Sequence, residues 1–220
     1  MNMNLGDTRL LIEVGRKHGL LRNQLAYQLA TAYHETAATM KPVRETLAST
    51  DAKAKEILTK SWKAGKLPWV KADYWSSGFF GRGYVQLTHK ENYQKAGAKL
   101  GIDLVGNPSK ALESSVAAEI IALGMQEGWF SGKKLSDYIT LQKSDYVGAR
   151  KIVNGTDKAG LIAGYAKQYD TLLKAEGYGE AETNSVAAPV DAAPLPTVSL
   201  IAKIIAALAA IFKGKSIEQV

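Results

Sequence analysis

The spacing of apolar residues predicts a mainly helical chain. Asp7 stands where it could cap a helix that ends at Gly19. A second helix is predicted from about Arg22 to Met40, with an apolar stripe of Leu21, Leu25, Leu29 and Ala32 and with Pro42 just beyond. Asp51 could cap a third, running through Ile57 and Trp62 to a stop at Gly65. Asn107-Pro108 opens another, with Leu112, Val116, Ile120 and Leu123 inward and Gly128 as its stop. Ser144 begins a short helix closed by Asn154-Gly155, and Asp157 begins the last, with Leu161, Tyr165, Tyr169 and Leu172 inward and its end at Gly177.

Two stretches break this pattern. Ser76 to Thr88 is rich in glycine and aromatics, has no helical period, and reads as a small hairpin or extended loop. After Gly179 the composition changes. The expected organisation is a globular domain over 1–178, an Ala/Pro-rich flexible linker over 179–198, and an apolar, basic C-terminal helix over 199–220. The apolar run Leu200–Phe212 is 13 positions long and holds Lys203. A spanning helix needs about 20 apolar residues. The run reads either as an interfacial helix on an anionic membrane or as a helix that packs back onto the domain.

Composition narrows the chemistry. Apolar residues make up 46% and charged residues 22%, the balance of a soluble globular chain. There is no cysteine, which excludes disulfides, Cys-bound zinc and a thiol nucleophile. The N-terminus lacks a basic region followed by an apolar stretch, so no secretory signal is expected and the chain is expected in the cytoplasm. Residues 1–178 carry 25 basic and 17 acidic residues, a net +8, which favours a polyanionic partner such as a cell wall, nucleic acid or anionic lipid. No nucleic-acid-binding motif accompanies the charge.

Tyr33-His34-Glu35-Thr36 lies in the C-terminal half of the second predicted helix. Glu35 shares a flank with Gln28 and Thr31, about 75° from the centre of the apolar stripe. A carboxyl at such an edge is partly desolvated, which suits a general acid. His34-Glu35 does not open a zinc-protease motif, because the fifth position is Ala38. The three histidines (His18, His34, His89) have no ligand spacing, and no phosphate loop or nucleophile elbow occurs. Neither a metal nor a cofactor is expected. A second carboxylate for water activation could be Glu45, ten residues on, with Glu56 and Asp73 as alternatives.

The fourteen residues Phe80-Gly81-Arg82-Gly83-Tyr84-Val85-Gln86-Leu87-Thr88-His89-Lys90-Glu91-Asn92-Tyr93 resemble the signature of glycoside hydrolase family 19. Upstream, His34-Glu35-Thr36 is similar to the family's His-Glu-Thr/Ser, and Thr39 to Glu45 looks like the phage-endolysin segment that supplies the second carboxylate. Downstream, Asn107-Pro108, Trp129-Phe130 and Ile152-Val153-Asn154-Gly155 fall in the family's order, so the resemblance covers about residues 10–175. It implies a lysozyme-like, two-lobed helical fold with a small β-hairpin beside the groove. It also implies roles. Glu35 would be the general acid, Glu45 the general base, and Thr88 the residue that holds the attacking water. His34, Gln86, Asn92, Tyr93 and Asn154 would contact sugar, with bracing of the hairpin as the alternative for Gln86 and Asn92.

This chain departs from the plant enzymes at several points. Tyr84 stands where they have Pro, and Ala37-Ala38 where they have Gly-Gly. The basic residue that relatives carry beyond the Asn-Gly element has only Lys158 as a counterpart. These departures point to a monomeric phage endolysin that hydrolyses β-1,4 bonds of peptidoglycan and acts on the wall after release from the host cytoplasm. The alternatives are a chitinase, a lytic transglycosylase with one catalytic Glu, and a non-enzymatic wall binder.

Overall fold

Seven α-helices and one pair of two-residue strands make up residues 1–180, the part of the chain that the computed structural model describes. They run α1 (Thr8–Lys17), α2 (Arg22–Glu35), β1 (Val43–Arg44), α3 (Asp51–Lys63), β2 (Arg82–Gly83), α4 (Lys90–Leu100), α5 (Ser114–Glu127), α6 (Leu135–Tyr138) and α7 (Ala159–Ala175). Almost all of the expected linker and the whole of the expected C-terminal helix lie outside the described residues.

Helix α2 is the axle of the larger lobe. Every residue from Leu25 to Ala32 is buried, so the expected one-sided stripe extends round the whole circumference. Helix α7 packs along it, and α1 and α5 close the remaining sides. A second, smaller apolar cluster sits under α3. It is built from Ala54, Leu58, Trp75 and Phe80, with Leu67, Val70 and Tyr74 packed against it. The two strands join antiparallel, Val43 opposite Gly83 and Arg44 opposite Arg82. The predicted hairpin segment therefore folds partly on itself, through an Arg82–Leu87 bridge, and partly onto the chain that follows α2.

Several boundaries differ from expectation. Helix α2 stops at Glu35, not Met40, because Ala37 and Ala38 take left-handed backbone angles of +49° and +64°. Thr36 closes the end: its hydroxyl donates to Ala32 O and accepts from Met40 N. Asp7 precedes α1 without capping it, and Thr50, not Asp51, caps α3 by accepting from Lys53 N. The helix expected from Pro108 is cut at Glu113, which is extended, into a 3-10 turn (Pro108–Leu112) and α5. The short helix expected from Ser144 is a 3-10 turn, Gly148–Ile152. In α7 the inward face is Ile162, Ala166, Tyr169 and Leu173, and Leu161 points to solvent. Helix α4 was not foreseen: it buries only Tyr93, Ala96 and Gly97, too few large apolar residues to mark a stripe.

Candidate active site

Glu35 is the last residue of α2, and its side chain is 19% exposed. That agrees with the half-buried flank expected of it. Its Oε1 accepts from Arg150 Nη1 at 2.7 Å, and the Arg150 side chain is 2% exposed. Arg150 comes from the 3-10 turn before Asn154, and its Nε donates to Asp157 O at 3.0 Å. One guanidinium therefore ties the end of α2 to the loop that leads into α7. Lys158 is exposed, at the left-handed residue before α7, and the cation on Glu35 comes from upstream of Asn154 instead. Nothing in the sequence spacing marks Arg150.

Glu45 follows β1 directly. Its backbone N–H donates to Gly81 O at 2.7 Å, and its Oε2 accepts from Gly81 N at 2.8 Å. Oε1 accepts from the Tyr74 hydroxyl. Burial, followed by the bond and charge of Glu45, raises the Tyr74 pKa, so this phenol stays a donor. Thr46 and Leu47, immediately after Glu45, both have positive φ (63° and 57°). Non-glycine residues held so cost roughly 1–3 kcal/mol each, and the two hydrogen bonds between Glu45 and Gly81 anchor the chain directly before them. The two alternative carboxylates have local duties. Glu56 pairs with Lys53 on an exposed face of α3, and Asp73 accepts from the Ser76 N–H and hydroxyl.

The signature block wraps around Gly81. Gln86 Nε2 donates to Val43 O (3.2 Å) and Gly83 O (3.3 Å), so the amide nitrogen braces β1 and β2. A Cβ on Gly81 would lie 2.6 Å from Gln86 Oε1, which explains glycine there. Thr88 Oγ1 donates to Gln86 O at 2.7 Å, and Asn92 Nδ2 donates to Thr88 O at 2.7 Å. The bracing alternative thus describes the amide nitrogens of both Gln86 and Asn92. Tyr93 does not line a groove. It is 0% exposed, and its hydroxyl donates to Phe80 O (2.8 Å) and accepts from Arg82 Nη1 (2.9 Å). Burial raises its pKa to about 12.

Arg82 is buried over the Phe80 ring, 3.9 Å from its centroid, and pairs with Asp51 at 2.7 Å. Burial would raise the Asp51 pKa, but the bonds from Arg44 and Arg82 outweigh it and the net shift is downward. Tyr84 reaches the other way: its hydroxyl and that of Ser114 both donate to Asp7 Oδ2 at 2.6 Å. Asn154 is exposed, with its backbone N–H on Arg150 O (2.9 Å) and its Oδ1 accepting from Gly155 N (2.8 Å). His34 is half-buried beside Glu35 on α2.

Hydrogen bonds therefore join Glu45, Tyr74 and Gly81 in one group, Gln86, Thr88 and Asn92 in a second that is anchored on Val43 and Gly83, and Glu35, Arg150, Asn154 and Asp157 in a third. Among the described residues there is no group of three or more His, Asp or Glu side chains that could hold a metal ion.

With this geometry in hand, the comparisons decide the family. The sequence profile of chitinase class I, glycoside hydrolase family 19, matches residues 22–131, half of the chain. The chain belongs to the chitinase class I family. It is 34% identical over 127 residues to chitinase 11 of Oryza sativa, covering 46% of this chain and 48% of that protein. It is 35% identical over 130 residues to rice chitinase 8, covering 47% and 48%. A 32-residue stretch is 59% identical to the acidic 27 kDa endochitinase of Solanum lycopersicum, covering 14% of this chain and 13% of that one. The chain thus spans about half the length of the rice relatives it matches. The matched segment carries Glu35, Glu45 and Thr88, while Arg150 and Asn154 lie beyond it. This member of the chitinase class I family therefore binds Glu35 with a residue from outside the family segment.

Proposed function

We propose that this chain is an endolysin-like glycosidase that hydrolyses β-1,4 bonds of peptidoglycan by an inverting acid–base mechanism. The observation that supports the reading is the pair of bonds between Glu45 and Gly81, which ties this carboxylate to the signature block that also carries Thr88. Thr88 spends its hydroxyl proton on Gln86 O, so it meets a water as an acceptor. A water placed between the two then gives one proton to Thr88 as a hydrogen bond and the other to Glu45 as a base. Each Glu45 oxygen accepts one bond already and has a lone-pair direction left for that water. Across the glycan, Glu35 protonates the leaving oxygen from Oε2 while Arg150 holds Oε1.

The net +8 of residues 1–178 favours peptidoglycan, whose stem peptides carry carboxylates, over neutral chitin. The enzyme acts as a monomer on the wall after release from the cytoplasm, and the apolar, basic C-terminal segment aids passage at the membrane. The test is mass spectrometry of products from purified peptidoglycan and from chitin oligosaccharides. Peptidoglycan fragments with a new hydrolysed reducing end support the reading. Anhydro ends would assign a lytic transglycosylase, and cleavage of chitin with peptidoglycan intact would assign a chitinase.

A further inference from the structure

The lobe under α3 ends in an exposed aromatic tip. After α3 the chain turns at Gly65, closes Lys66 N onto Ser61 O at 3.0 Å, and makes a tight turn from Leu67 to Val70 with a 3.0 Å bond. Trp62 Nε1 donates to Val70 O at 3.0 Å, which pins this turn back against the helix. Trp62 spends the rest of its ring on Trp75, edge to face at 5.7 Å. Trp69 does neither: it stands at the crest of the turn and is 73% exposed. Trp69 thus presents a large flat apolar face to solvent from a firmly closed turn.

The ground around it is cationic. Residues 52–72 hold six lysines and one acidic residue, and that one, Glu56, is paired with Lys53. Lys60, Lys63, Lys66 and Lys71 are exposed. A shallow depression of about 750 Å³ runs along α3, lined by Lys55, Glu56, Thr59, Lys60 and Lys63. Of the flanking acids, Asp51 is paired with Arg44 and Arg82, while Asp73 accepts from Ser76 and stays charged, so the lysines still outnumber the acids that face them.

The patch is also mechanically continuous with the site. Trp69 lies five positions before Tyr74, whose hydroxyl is on Glu45, so the two backbones are at most about 18 Å apart. Trp75 and Phe80 in the core of this lobe lead into Gly81. A polymer engaged at Glu45 would need to span no more than about this distance to meet the patch.

We infer that Trp69, together with Lys66 and Lys71, is an accessory binding site for an acidic glycan strand, a peptidoglycan whose sugar rings stack on the indole and whose stem-peptide carboxylates meet the lysines. This rests on the proposed function and gives its substrate class a second, non-catalytic contact. A flat apolar face beside cations matches a strand that alternates sugar rings with acidic substituents. A neutral glycan would use the indole alone.

The test is retention of the full chain, made inactive by Glu35→Gln, on purified peptidoglycan sacculi, on chitin beads and on vesicles of anionic lipid. Trp69→Ala should weaken retention on sacculi by about tenfold, the scale of one lost aromatic anchor. Lys66→Gln/Lys71→Gln should weaken it several-fold and flatten its salt dependence, with little effect on chitin. Both variants should keep the parent thermal midpoint, since all three side chains are exposed. Retention on sacculi unchanged by either variant overturns the inference, whatever the active enzyme cleaves. So does a loss confined to anionic vesicles, which would make the tip a lipid contact. Cleavage is read separately with the unsubstituted enzyme, so failure of the proposed function shows as intact peptidoglycan and not as altered retention.

Discussion

Arg150 Nη1 lies 2.7 Å from Glu35 Oε1, and it brings to the end of α2 a guanidinium that is 2% exposed. A buried arginine on a carboxylate fixes direction as well as charge, because its donors are rigid. Arg150→Gln should lower the turnover rate at least tenfold. It should also cost about 2–3 kcal/mol of stability, since it leaves a half-buried carboxylate with a weaker partner. Arg150→Lys should restore charge but not rate. Glu35→Gln should fold and lose activity by about a hundredfold or more. Initial rates with thermal midpoints separate these outcomes, and full activity in Arg150→Gln would remove the positioning role.

Glu45→Gln should be as damaging as Glu35→Gln, with Thr88→Ala clearly damaging but milder. Glu56→Gln and Asp73→Asn should stay near wild type, because those carboxylates serve Lys53 and Ser76. Tyr74→Phe, which removes one donor from Glu45, should lower the turnover rate several-fold while leaving the fold intact. A dead Glu56 or Asp73 variant beside an active Glu45 variant would reassign the base.

Tyr93→Phe should leave KM unchanged and lower stability by about 1–2 kcal/mol. Its hydroxyl serves Phe80 O and Arg82 inside the fold. A selective rise in KM without loss of stability would return Tyr93 to the groove.

Several tyrosines have pKa values raised by burial, Tyr93 and Tyr146 to about 12 and Tyr27, Tyr84 and Tyr169 also upward. In the unfolded chain they ionise near ~10. The stabilisation is therefore complete below about pH 10 and is lost as pH rises from there towards the folded values, at about 1 kcal/mol per tyrosine between pH 10 and 11. Tyrosinate absorbance should appear together with loss of helical circular dichroism. Ionisation near pH 10 with the helices intact would contradict the buried state.

Ala37 and Ala38 sit at φ +49° and +64°, in the left-handed region that favours glycine. Ala38→Gly should stabilise the chain by about 0.5–1 kcal/mol. Relief of left-handed strain there exceeds the entropy that glycine adds to the unfolded state. A lowered thermal midpoint would mean that the turn gains from its methyl groups.

Much of the helical frame could be read in advance because its apolar residues are large and periodic, as in α2 and α5. Helix α4 could not, since Ala96 and Gly97 let it pack closely without large side chains. At the site, Glu35 and the signature block were legible as local strings, and the structure gives them bonded surroundings. Arg150 was not legible, because a side chain that crosses 115 positions of sequence to reach Glu35 leaves no spacing to detect. Tyr93 was misplaced for the opposite reason: its neighbours in the string are functional candidates, but a helix turns it inward.

The shared footing of Tyr84 and Ser114 on Asp7 has a bearing on how this protein can be recombined. The family-matched segment begins at residue 22, so Asp7 lies outside it. A chimera that imports a loop without a hydroxyl at position 84 would take one donor from Asp7, and one that replaces the segment before the first helix would strand Tyr84. Asp7 and Tyr84 are thus a linked pair across a crossover point. Successful grafts should carry both or neither.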